Sequence, residues 1–160
     1  MNKSSRTQGL GSALISLTLI SVVVVSVISF VIYSYRLIGP LLILMGLIPW
    51  LPIKLSGRTV RSTGADIVFG AVDTGVLGVA ALIGASFAGV LGAIVGGAIG
   101  DAITDGLAGI FEGRVAEYLR ARGIEEARTP LTSSMGKMSG CLIGVGITLT
   151  VAWSVLGFQV

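Results

Sequence analysis

Asp66, Asp73, Asp101 and Asp105 lie within otherwise apolar stretches and make up half of the chain's eight acidic residues. An ionised carboxylate is costly in hydrocarbon, so it faces a bundle interior, a water-filled path or a bound cation. Asp66 and Asp73 are seven residues apart, close to two helical turns, and share a helix face. Asp101, Asp105 and Glu112 share a face of a second helix by the same spacing. Asp73 falls about 12 Å, Asp101 about 15 Å and Asp105 about 9 Å from the inner ends of their helices, at roughly 1.5 Å per residue. The spacing therefore predicts one level at which Asp73, Asp101 and Asp105 meet, with Asp66, Glu112 and Glu117 gathering cations at the inner mouth. Hard oxygen donors at this density suit a divalent or alkali cation, or a proton relay. Lys137 is a candidate counter-charge that competes with such a cation. The bland alternative is that these carboxylates are protonated or structurally paired.

Other chemistries find less support. Without histidine, imidazole metal sites and histidine-based catalysis are excluded. A single cysteine, Cys141, excludes an intramolecular disulfide. Met135, Met138 and Cys141 occur at three-residue steps and could offer soft ligands, although methionine in an apolar helix is usually packing. Gly97-Ala-Ile-Gly-Asp101-Ala-Ile-Thr-Asp105 matches one half of the CDP-alcohol phosphotransferase signature. The Asp-x-x-Asp-Gly-x-x-Ala-Arg half is missing upstream, so no enzyme is expected and no cofactor is implied beyond a transported cation. Scattered basic residues and 6% aromatics give no nucleic-acid surface.

The elements that must carry these residues are helices in a membrane. The chain of 160 residues is 53% hydrophobic and only 12% charged, with a mean hydropathy of +0.95. Soluble domains carry about 25% charged residues. Five spans are expected, over residues 10–33, 37–53, 65–85, 88–111 and 131–156, forming one all-α polytopic membrane helical bundle. Residues 112–128 read as a cytoplasmic amphipathic segment. The second span is short and carries Pro40, Pro49 and Pro52, with Trp50 as an interfacial anchor. Thr129-Pro130 reads as the N-cap and first residue of the last helix. Lys3, Arg6, Lys54, Arg58, Arg61, Arg114, Arg120, Arg122 and Arg128 fall on one side, and only Arg36 on the other. The positive-inside rule then places the N-terminus inside and the C-terminus outside.

Gly84, Ala88, Gly92, Gly96 and Gly100 recur every four residues. Small residues at this spacing let helix backbones approach closely in lipid. The ladder predicts tight packing, with a thin-walled path or a dimer seam as the functional version.

The stretch Phe69-Gly-Ala-Val-Asp73-Thr-Gly75 resembles the first membrane helix of vacuolar iron transporter-like proteins. Ala98-Ile-Gly-Asp-Ala-Ile-Thr-Asp-Gly106 and Glu117-Tyr-Leu-Arg-Ala-Arg122 are similar to the next helix of that family and its acidic continuation. The resemblance covers about residues 64–128. It implies that Asp73 takes the place of the family's translocation-path aspartate, and that a homodimer moves ferrous iron or manganese, with proton exchange as one coupling. Val72-Asp73-Thr74 stands where the family has Asn-Asp-Gly, and the helix order is permuted. The expectation is a divalent-cation transporter in the cell membrane, embedded in the lipid bilayer, homodimeric and open to other membrane subunits. The competing expectation is a non-catalytic membrane subunit or assembly protein packed through glycine-rich helices.

Overall fold

The computed structural model describes residues 3–31, 35–121 and 129–157. Every regular element among them is helical. In chain order these are α1 (Lys3–Val31), α2 (Tyr35–Met45), α3 (Trp50–Leu55), a 3₁₀ turn (Val60–Thr63), α4 (Gly64–Ala121) and α5 (Pro130–Leu149), which runs on as a π turn (Thr150–Val155). Four stretches are long and apolar enough to cross a membrane: Leu10–Val31, Leu37–Leu55, Val60–Ile110 and Pro130–Val155. In Leu10–Val31 only Ala13 and Ile20 are buried within the chain, although the stretch is strongly apolar. Such a helix suits a lipid surround, where apolar side chains need no protein cover.

The third stretch, of 51 residues, is the unusual one. At about 1.5 Å per residue it would extend roughly 75 Å if straight, more than twice a hydrocarbon core of about 30 Å. Its helical backbone breaks at Ala88 (φ −141°, ψ 24°) and Gly89 (φ 57°, ψ −136°). The Gly89 conformation is essentially closed to residues with a Cβ. The break falls at the expected boundary between the spans over 65–85 and 88–111.

The chain forms two compact units, residues 1–75 with 129–160 and residues 76–128. In the first, α5 is the hub, packing against α1, α2, α3 and the 3₁₀ turn. Ala13, Ile20, Ile53, Leu131 and Met135 form its apolar centre, and Val24, Ile48 and Met138 pack around it. Thr129 caps α5 with a reciprocal pair of hydrogen bonds to Thr132, and Pro130 opens the helix as its spacing predicts.

Glycines set how closely these helices approach. A Cβ on Gly140 would collide with the Ile67 carbonyl and come within 2.9 Å of the Ala71 nitrogen, and one on Gly144 would collide with the Ala71 carbonyl. On Gly136 a Cβ would lie 2.8 Å from Asp66 Cβ. Successive contacts advance along both helices together, so α5 and residues 64–75 run parallel. Gly39 and Gly46 of the α2 region meet Gly146 and Ser139 in the opposite order, so α2 and α5 run antiparallel. The second unit is built the same way. Gly84 and Gly92 face each other across the hairpin, Gly96 meets the Ala80 carbonyl, and a Cβ on Gly100 would lie 2.9 Å from Ala80 Cβ. The ladder packs backbone against backbone, as its spacing predicts, except at Ala88, which falls in the turn.

Candidate functional site

The candidate carboxylates divide between the two units. In the first, Asp66 sits in the opening turn of α4, where the positive end of the helix dipole favours a negative charge. It is 3% exposed and accepts a hydrogen bond from Ser133 Oγ at 3.4 Å. Thr63, fully buried and bonded through its hydroxyl to the Val60 carbonyl, closes the same corner with Gly136. Asp66 is thus built into the α4–α5 contact rather than presented at an open mouth. Two turns on, Asp73 is half-buried on the same arm. The far end of that contact is tied by Thr148, whose hydroxyl donates to the Gly75 carbonyl at 3.2 Å.

Lys137 is exposed on α5 and places its ammonium 5.1 Å from the centre of the Phe69 ring. That distance is within the range in which an aromatic face attracts a cation. The neighbouring soft donors do not converge. Met135 is fully buried in the apolar centre and Met138 packs against it, whereas Cys141 lies beside Gly70. Packing therefore accounts for both methionines.

In the second unit, Asp101 is half-buried and Asp105 exposed, one turn apart. Thr104 is buried between them and donates to the Gly100 and Asp101 carbonyls at 3.1 and 3.0 Å. At about 100° per residue, Gly97, Gly100, Thr104 and Ala108 mark the packed side of this arm. The two aspartates lie on the shoulder of that seam, about 40° apart around the helix. Ile99, Ile103 and Ile110 are exposed on roughly the opposite side. The arm therefore separates a carboxylate edge from an apolar face. Glu117 is exposed further along α4, and the Glu112 side chain lies outside the described residues, as do residues 122–128 of the expected amphipathic segment. Among the described residues no group of three or more histidine, cysteine or acidic side chains gathers closely enough to hold a metal ion.

Two features of the site region go beyond the spacing of the carboxylates. Gly136, Gly140 and Gly144 repeat every four residues, the same signal as the ladder of the hairpin, and they seat the arm that carries Asp66 and Asp73. Ser139 is fully buried, donates to the Gly46 carbonyl at 2.6 Å and accepts from the Trp50 indole nitrogen at 2.9 Å. Trp50, expected as an interfacial anchor, is thus pinned to α5 through its polar atom. No protein-family model, curated protein or solved structure matches the chain.

Proposed function

We propose that this chain is an integral membrane cation transporter, moving a divalent metal such as iron or manganese along a path lined by Asp73, Asp101 and Asp105. The observation that carries the reading is the edge formed by Asp101 and Asp105. Two carboxylates one turn apart, one half-buried and one exposed, stand on an arm whose opposite side is apolar. In a bilayer an exposed carboxylate edge needs water, a cation or a second protein surface against it. A homodimer meets that need, since two copies bring four such carboxylates together. Divalent cations are commonly held by one or two carboxylates with waters, or by six to eight oxygens in all. The resemblance of Asp73 and its neighbours to the vacuolar iron transporter-like helix supports the same cargo. Asp66 then serves the fold, and Glu112 and Glu117 supply negative charge near one end of the path.

The topology that serves this reading has five spans, with the N-terminus inside. Residues 64–75 and α5 run parallel, so the five-span reading has the chain cross back between them. The asymmetry of lysine and arginine supports the orientation, and the cell membrane is the site this reading assigns.

Manganese binding to the purified protein, monitored by the loss of the free-ion paramagnetic resonance signal, tests the cation site. Saturable binding that disappears in Asp101→Asn/Asp105→Asn, with helicity and elution volume unchanged, is the expected result. Equal binding by wild type and variant would remove the carboxylate edge from the account. A second reading, a non-catalytic membrane subunit, is favoured by the extent of glycine-to-backbone packing, and it predicts that the same substitutions leave metal handling untouched.

A further inference from the structure

The first 65 residues hold six lysines and arginines and no carboxylate at all. Three of the six, Lys54 in the last turn of α3, Arg58 beyond it and Arg61 in the 3₁₀ turn, fall within eight residues, and all three are exposed. Among the described residues none of them makes an ion pair. The first carboxylate along the chain, Asp66, is buried against Ser133 and turned to the fold.

The loop that carries these cations is ordered by its own backbone. At the end of α3 the Gly57 nitrogen donates to the Lys54 carbonyl at 3.0 Å and the Arg58 nitrogen to the Ile53 carbonyl at 3.2 Å. Gly57 takes φ +74°, completing a Schellman stop. Ser56 Oγ caps the Ile53 carbonyl at 2.7 Å. The 3₁₀ turn comes next, with Ser62 bonded twice to the Thr59 carbonyl. Ile53, at the base of this stop, is fully buried in the apolar centre, so the loop is anchored to the first unit. Beside the cations, Leu51 and Leu55 are 61% and 78% exposed, one turn apart on α3.

We propose that this loop is a headgroup clamp for anionic phospholipid. Lys54, Arg58 and Arg61 engage the phosphate oxygens of the bilayer surface, while Leu51 and Leu55 enter the acyl boundary beneath. Charge complementarity selects the occupant. An uncompensated triple cation on an ordered backbone at the end of an apolar stretch fits a phosphodiester plane, and cationic clusters beside a membrane span draw anionic lipid. Exposed leucines adjoining the cations suit an interface that is charged above and apolar below. The clamp requires a membrane and is independent of cation transport.

The test uses the full chain reconstituted in phosphatidylcholine membranes, with spin-labelled phosphatidylglycerol or phosphatidylcholine as the probe. The expected result is preferential immobilisation of the phosphatidylglycerol probe by wild type. Lys54→Gln/Arg58→Gln/Arg61→Gln should reduce that preference on the order of tenfold, while Arg58→Lys/Arg61→Lys keeps it. Added salt should weaken the wild-type preference as screening shortens the reach of the cations, a readout that needs no variant to fold. Equal headgroup preference in wild type and the triple glutamine variant, or a wild-type preference insensitive to salt, would overturn the proposal. Displacement of the probe by soluble glycerol phosphate would assign the loop to a free phosphate ligand and overturn the lipid assignment.

Discussion

Replacing Gly140 by alanine adds one methyl group at the tightest point of the α4–α5 contact. The new carbon would collide with the Ile67 carbonyl oxygen and lie 2.9 Å from both the Ile67 carbonyl carbon and the Ala71 nitrogen. All three obstacles are backbone atoms, so no side-chain rotation relieves the overlap. Favourable carbon contacts lie near 3.5–4.0 Å, so the helices must separate by about 1 Å. A gap of that size forfeits roughly a quarter to a half of the dispersion energy of each affected contact. Overpacking of this kind costs about 1–3 kcal/mol. The same separation stretches the Ser133–Asp66 and Thr148–Gly75 hydrogen bonds, and each contributes about 1 kcal/mol. With about half of each bond's contribution retained, the sum is roughly 2–4 kcal/mol. At about 2–4 °C per kcal/mol for a domain of 150–250 residues, the midpoint should fall by roughly 5–15 °C. The assay is thermal unfolding in detergent, monitored by the loss of the monodisperse elution peak. Gly106→Ala and Gly109→Ala are the controls, since a Cβ at either position meets nothing within 4 Å. They should be neutral or slightly stabilising, because alanine favours a helix over glycine by about 1 kcal/mol. Within the hairpin, Gly96→Ala should behave like Gly140→Ala, whereas Gly97→Ala, whose nearest neighbour would be Ala81 Cβ at 3.6 Å, should be tolerated. Gly140→Ala no more harmful than Gly106→Ala would refute the close backbone approach itself.

Ser139→Ala leaves the Gly46 carbonyl and the Trp50 indole without their shared partner, and should cost about 3 kcal/mol and shift the Trp50 emission in a Trp153→Phe background. Gly109→Cys lies about 40° around the helix from Asp105 and keeps both aspartates, while Ile103→Cys lies on roughly the opposite side. In membranes the first should react with a charged maleimide and the second should not, and equal labelling of both would remove the distinction between a wet edge and an apolar face.

Much of the helix packing is legible in residue spacing, because a four-residue repeat of glycine has one physical use in a helix. Gly84, Gly92, Gly96 and Gly100 declare the hairpin in this way. Gly136, Gly140 and Gly144 carry the same signal on α5, interleaved with Lys137, Met138 and Cys141, whose chemistry competes for attention. The break at Ala88-Gly89 is legible from length, since no single straight crossing accommodates so long an apolar run. Partners distant along the chain are not legible. Trp50 and Ser139 are 89 residues apart, and no local pattern announces their hydrogen bond. The burial of Asp66 depends likewise on where the start of α5 passes, and heptad spacing on α4 cannot distinguish a wet carboxylate from a packed one. Asp101 and Asp105 fall on one edge as their spacing predicts, because a single helix arm carries both.

The most direct measurement of the central claim is the initial rate of manganese or ferrous iron uptake into proteoliposomes, with wild type and Asp101→Asn reconstituted to equal folded density. Saturable wild-type uptake that falls to the protein-free leak in Asp101→Asn is the predicted result. Absence of flux for either ion, or an unchanged rate in the variant, would contradict transport and leave the membrane-subunit reading in its place.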